Sequence, residues 1–137
     1  MSSPTIGING GGIGGMTVAI ALRLMGHDVI VFEQASQFLR IGADVNLTPN
    51  AVHALDRLGL GQKLRETAAR PTHRISRKWD TGEETSRLEM ADSAEKKYGA
   101  PQLTIHRGDL LKALNDRLPE SVIHLDKRAE SITNDDD

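Results

Sequence analysis

The 137-residue sequence contains no cysteine, which excludes disulfides, thiolate nucleophiles and thiolate metal ligands. It carries no long basic run, and its net charge is −2, so it lacks the electrostatic footprint of a nucleic-acid binder. No stretch approaches the ~20 consecutive apolar residues that span a bilayer. The first residues show no basic region followed by an apolar one, so a secretory leader is not expected. Internal repeats and low-complexity tracts are absent. The five histidines, His27, His53, His73, His106 and His124, show no metal-ligand spacing and read as surface or packing residues. What remains, 38% hydrophobic and 26% charged residues, is the composition of one ordinary soluble globular domain.

What the sequence has in excess is glycine, concentrated near the start in "GINGGGIGGM", Gly7–Met16. The flanks give this cluster meaning. Thr5–Asn9 reads as a strand. Gly14–Met25 reads as a buried helix through Met16, Ala19, Ile20, Leu22 and Leu24, stopped by Gly26. "DVIVFE", Asp28–Glu33, is a second apolar strand. Strand, helix and strand within about thirty residues make a βαβ unit with parallel strands.

Gly10-x-Gly12-x-x-Gly15 lies between the first strand and its helix, the context this spacing requires. Gly10 allows the tight turn, Gly12 leaves room for a pyrophosphate against the backbone, and Gly15 lets helix and sheet approach. The helix N-terminus then offers free N–H groups and a favourable dipole to phosphate. Glu33 ends the second strand about twenty residues on, where a carboxylate meets the ribose hydroxyls. It would repel a 2′-phosphate, which disfavours NADP on this unit and leaves NAD or FAD. A phosphate-binding P-loop is discarded because Met16 stands at the lysine position.

Downstream, "FLRIGADVNL" looks irregular and turn-rich. "TPNAVHALDRLG" reads as a helix capped by Thr48, with Pro49 in its first turn, Val52, Leu55 and Leu58 on one face, and Gly59 as its stop. "LGQKLRETAARP" is a second short helix. "HRISRKWDTGEETSRLEM" reads as a hairpin turning at Asp80-Thr81-Gly82, with Trp79 in the core. "LTIHR" is a short strand. Asp109–Leu118 is a helix with Leu110, Leu111, Leu114 and Leu118 inward, and "SVIHLDKRAESIT" supplies one or two last strands.

Three ordered blocks, "IGINGGGIGGMTVAIALRLMGHDVIVFEQA", "IGADVNLTPNAVHALDRLGLG" and "LTIHRGDLLKAL", resemble the N-terminal portion of class A flavoprotein monooxygenases of the salicylate hydroxylase-like group. The first block is shared with many flavin and NAD enzymes; the second and third are more specific. The resemblance implies an α/β, Rossmann-like FAD-binding fold, with a parallel sheet flanked by helices and a small antiparallel hairpin, here incomplete. It implies that Gly10, Gly12, Ile13, Gly14 and Gly15 lie along the FAD pyrophosphate and that Glu33 holds the adenosine ribose. Arg40 and Ala43, Asp44 and Val45 would pass near the ribityl or pyrophosphate region. Arg107 would contact the cofactor from a strand end, and Ala129, in the last strand region, would lie near the adenine. Bland alternatives stand beside these: a solvated loop arginine for Arg40, an Arg107–Asp109 pair, and a turn role for Asp44.

Two residues depart from the family pattern: Asn9 stands in place of an apolar strand residue, and Asp44 where glycine is common. The family's enzymes are also much longer, and their later cofactor segments and substrate domain have no counterpart here. The 137 residues are thus expected to be the N-terminal part of an FAD-binding domain. The implied whole enzyme is a cytoplasmic aromatic hydroxylase using FAD, with NAD(P)H as co-substrate, molecular oxygen and a small aromatic substrate. The sequence names no catalytic acid, base or nucleophile. The rival readings are an NAD-binding dehydrogenase domain and a non-catalytic nucleotide-binding fragment.

Overall fold

The computed structural model describes residues 4–39 and 42–134, and the chain divides into two compact units. The first comprises residues 1–40 and 110–137; the second comprises residues 41–109.

In the first unit, β1 (Ile6–Asn9) leads through the glycine cluster into α1 (Ile13–Leu24) and returns as β2 (Val29–Phe32). β1 and β2 pair in parallel, Ile6 opposite Val29 and Asn9 opposite Phe32. A right-handed crossover helix is the usual way to join such strands. α1 packs on both strands and buries Met16, Ala19 and Ile20. Leu24 is exposed, not buried as its spacing suggests, because it lies in the last turn before Gly26. Gly26 takes φ +88°, the left-handed conformation that ends helices.

The C-terminal part of this unit contains a 3-10 turn, Glu120–Val122, and a last strand. That strand, β7 (Ile123–His124), has only two residues and pairs in parallel with β2, so the sheet order is β1-β2-β7. Of the one or two strands expected here, this one short strand forms. Beyond His124 the segment stays beside β2 by single hydrogen bonds: the Asp126 amide donates to the Ala35 carbonyl, and the Lys127 amide to that of Glu33. Asp126 adopts φ 55°, breaking the ladder geometry.

In the second unit, β3 (Asp44–Leu47) pairs antiparallel with β6 (Leu103–His106), Asp44 facing His106 and Leu47 facing Leu103. The turn-rich reading of 38–47 is therefore wrong from Asp44 onward, and Asp44 opens a strand instead of making a turn. α2 (Pro49–Arg57) and α3 (Gly61–Thr67) follow as the sequence predicts, burying Val52, Leu55 and Leu64. Thr48 occupies the N-cap position of α2, but its hydroxyl bonds the Asn50 side chain at 2.5 Å instead of a backbone amide.

The hairpin is also present, as β4 (His73–Arg77) and β5 (Glu84–Glu89), with Gly82 at φ +71° in the turn. Its residues are exposed on both faces, and Trp79 at the tip is 97% exposed. The core placement of Trp79 is thus corrected: it lies at the turn, where no opposing layer covers it. The sequence reading missed α4 (Ala91–Tyr98), which is tied to Arg70 through Asp92 at 2.9 Å and Glu95 at 2.6 Å. Finally α5 spans Arg107–Asn115, two residues earlier than expected at its start and shorter at its end, and it buries Leu110, Leu111 and Leu114.

Candidate nucleotide site

The site is built from the turn after β1. Gly10 adopts φ +108°, which L side chains rarely occupy, and its amide donates to the Phe32 carbonyl at 2.7 Å. This bond holds the start of the loop against the end of β2. A Cβ on Gly15 would lie 1.9 Å from the Gly10 carbonyl oxygen, so only glycine lets α1 approach the loop this closely. Gly12 and Gly14 differ: a Cβ at either position meets nothing within 4 Å. Their lack of side chains leaves open space above the backbone rather than relieving a clash. Gly12 is the N-cap of α1, with no side chain capping the helix and no acidic residue in its first turn. The amides of Ile13, Gly14 and Gly15 begin that helix, the arrangement that receives an anion.

Glu33 closes the site from the other side. Its Oε2 accepts the amide of buried Gly11 at 2.6 Å, and its Oε1 accepts the Ala35 amide at 2.8 Å. Each carboxylate oxygen retains a lone pair for a further donor. The acid, held by these two bonds, is part of the lining of a 260 Å³ pocket formed by Asn9, Gly10, Glu33, Gln34, Arg128 and Ala129. That volume is below the roughly 300–1,000 Å³ of pockets that enclose a whole small-molecule ligand, and it suits one nucleoside portion of a larger cofactor. Ala129 lines the pocket from a segment outside any strand, which corrects the strand assignment but keeps it beside Glu33. Asn9, read as a departure from the strand pattern, is exposed at the end of β1 and lines the same pocket.

The second unit gathers another set. The Arg107 amide donates to the Ala43 carbonyl at 3.1 Å. Gly42 adopts φ +124°, and a Cβ there would lie 3.1 Å from Cδ of Arg107. The Arg107 stem therefore lies across the Gly42 backbone. Asp44 and Val45 follow on β3 opposite His106 and Ile105. Ala43, Asp44, Val45 and Arg107 are thus neighbours, although about sixty residues separate them in sequence. Arg40 lies outside the described residues.

A two-bond ion pair lies away from these groups. Arg65 grips Asp56 through two bonds, 2.6 and 2.9 Å, and this hydrogen bonding holds the Asp56 carboxyl below its ordinary pKa against a smaller opposing effect of burial. Among the described residues, no group of three His, Asp or Glu side chains is placed to hold a metal ion, and no helix is long and apolar enough to cross a membrane.

Residues 3–137 match the family described as the FAD binding domain, and the chain belongs to that family. The chain is 40% identical over 121 residues to 6-hydroxynicotinate 3-monooxygenase of Pseudomonas fluorescens, covering 88% of this chain and 31% of that protein. It is 38% identical over 127 residues to 3-amino-4-hydroxybenzoate 2-monooxygenase of Streptomyces cremeus, covering 93% and 32%. Among solved structures, p-nitrophenol 4-monooxygenase PnpA of Pseudomonas putida DLL-E4 superposes with a TM-score of 0.83 at 25% identity, covering 99% of this chain and 35% of that one. HpxO of Klebsiella pneumoniae, complexed with FAD and uric acid, superposes with a TM-score of 0.79 at 26% identity, covering 90% and 31%. The chain thus spans about a third of the length of these relatives. Family membership settles the choice left open between NAD and FAD: the cofactor of this domain is FAD.

Proposed function

We propose that the chain is the N-terminal, cofactor-holding part of an FAD-dependent monooxygenase that hydroxylates a small aromatic ring. NAD(P)H is its reductant and molecular oxygen its co-substrate. The observation that carries this reading is the Glu33 carboxylate, fixed by two backbone amides beside a glycine loop that is open at Gly12 and Gly14. In this reading Gly10, Gly12, Ile13, Gly14 and Gly15 bind the pyrophosphate by backbone amides, and Glu33 accepts the adenosine ribose hydroxyls. Ala129 borders the adenine. Arg40, Ala43, Asp44, Val45 and Arg107 form a second group of cofactor contacts, with Arg107 supplying positive charge.

FAD, when bound, supplies the electron transfer and oxygen chemistry, which no side chain of this sequence provides. The protein's own contribution is to bind and orient it. The relatives named for 6-hydroxynicotinate and 3-amino-4-hydroxybenzoate support an aromatic ring already bearing a hydroxyl as the substrate class. A cytoplasmic setting belongs to the same proposal, since the reductant is NAD(P)H.

Titration of the 137-residue chain with FAD, by flavin fluorescence and calorimetry with ADP and NAD as competitors, tests this. FAD binding that exceeds ADP binding supports the proposal. Equal and weak binding of FAD and ADP reduces the chain to an adenosine-binding unit. NAD binding without flavin binding overturns the proposal in favour of a dehydrogenase domain.

A further inference from the structure

His106 reads from the sequence as a surface or packing residue, yet its ring does a specific job. It is the residue immediately before α5, and its Nδ1 accepts the amide of Gly108 at 3.1 Å. That amide is one of the first-turn donors that a helix cannot satisfy internally. Gly108 is buried, so water does not replace the lost partner. His106 therefore takes the place usually held by Asn, Asp, Ser or Thr at a helix start. Accepting at Nδ1 requires the neutral ring with its proton on Nε2. The ring is half-buried on β6, on the strand face opposite Ile105.

Between the capping residue and the capped amide stands Arg107, and three contacts converge on its backbone and stem. Its amide is held by the Ala43 carbonyl. Its stem crosses Gly42, where φ +124° disfavours an L side chain and an added Cβ would crowd the Arg107 Cδ at 3.1 Å. Its position as the first residue of α5 is fixed by the His106–Gly108 bond on either side. An exposed arginine loses much rotamer freedom when it binds a ligand, and a preset stem reduces that cost.

The geometry points to His106 and Gly42 as positioning residues for Arg107: the imidazole sets the helix start, the glycine provides the track for the stem, and the guanidinium is thereby preorganised for an anionic part of the cofactor. This rests on the assignment of Arg107 to FAD made above.

The test uses the 137-residue chain with His106→Ala, His106→Asn, Arg107→Ala and the His106→Ala/Arg107→Ala double variant. FAD affinity is read by flavin fluorescence, and Gly108 amide exchange by NMR. Asn places an acceptor oxygen near the Nδ1 position and is among the best capping residues. His106→Ala is expected to speed Gly108 exchange and to weaken FAD binding about fivefold, and His106→Asn to restore both. In the Arg107→Ala background, His106→Ala should cost no further affinity. Unchanged Gly108 exchange in His106→Ala overturns the cap. Additive losses in the double variant, or failure of Asn to rescue affinity, overturn the positioning role. An Arg107→Ala chain that binds FAD like the wild type overturns the cofactor assignment of Arg107 and the positioning role with it, while the exchange data still report on the cap.

Discussion

The Glu33 carboxylate accepts the backbone amide of Gly11 at 2.6 Å, joining the end of β2 to the loop after β1. Gly11 is buried, so this bond satisfies a donor that water does not reach. The same carboxylate faces the pocket lined by Asn9, Gly10 and Ala129. A structural role and the ligand-binding role proposed for Glu33 thus fall on one side chain. Glu33→Ala is expected to destabilise the chain by about 1–3 kcal/mol, the cost of leaving a buried donor unpaired. It should also weaken ADP binding about tenfold, through loss of a charged acceptor for hydroxyl donors. Glu33→Gln retains one acceptor oxygen and should recover part of the stability. Thermal unfolding and calorimetry with ADP check both; unchanged ADP affinity in a folded Glu33→Ala chain would remove Glu33 from the site.

The Asp56–Arg65 pair makes the stability depend on acid. Its carboxyl has a folded pKa lowered from the ordinary 3.8, chiefly by the Arg65 hydrogen bond. A lowered folded pKa means that the contribution is complete above the unfolded value and is lost as pH falls through the folded one. Asp56→Asn should therefore cost about 0.5–1 kcal/mol at pH 7, a modest figure because the pair is partly solvated. The difference between variant and wild type should shrink as pH falls below 3.8 and on through the lowered folded pKa. Asp56 in turn raises the pKa of Arg65, chiefly through the hydrogen bond, so Arg65 remains charged throughout this range. Urea melts at a series of pH values from 7 down into the acid range measure it; an Asn penalty that does not shrink as the pH falls would contradict the pairing.

The parts of this fold that were legible in the sequence are local. β1, α1 and β2 follow from apolar spacing and glycine punctuation over some thirty residues, and their pairing is dictated by the crossover. β3 was not legible, because its partner β6 lies far along the chain and nothing within 44–47 requires a strand. Only the pairing of Asp44 with His106 makes it one. α4 was hidden by its polarity, yet its ends carry usable signals: Asp92 in the first turn, Lys96 and Lys97 in the last, and Gly99 at φ +75° after it. The site divides the same way. The glycines and Glu33 were readable from spacing, whereas the stacking of Arg107 on Gly42 and the capping by His106 arise from tertiary contact.

Trp79 supplies a direct optical check on the exposed hairpin tip. It is the sole tryptophan and is 97% exposed. Its emission maximum in the native chain should match that of a fully hydrated indole and should not shift when the chain unfolds in denaturant. Trp79→Ala should leave the unfolding midpoint within about 0.5 kcal/mol of the wild type, as for other surface substitutions away from packed features. A blue-shifted native emission, or a large loss of stability, would place Trp79 against other residues and contradict the exposed tip.

The glycine loop separates two kinds of requirement, and a pair of alanine substitutions distinguishes them. At Gly15 the new Cβ would fall 1.9 Å from the Gly10 carbonyl oxygen, so loop or helix must move. Alanine normally stabilises a helix over glycine, yet this clash should make Gly15→Ala destabilising by about 3 kcal/mol. At Gly12 the new Cβ meets nothing within 4 Å, and φ −74°, ψ −178° is open to any residue. Gly12→Ala should therefore fold with a penalty of only about 0.5 kcal/mol, from its poorer capping. Its added methyl would instead occupy the open space beside the α1 amides, so FAD and ADP affinity should fall at least about tenfold. A Gly12→Ala chain that folds and binds FAD as tightly as the wild type would show that the pyrophosphate does not pass over Gly12, and the loop's glycines would then serve packing alone.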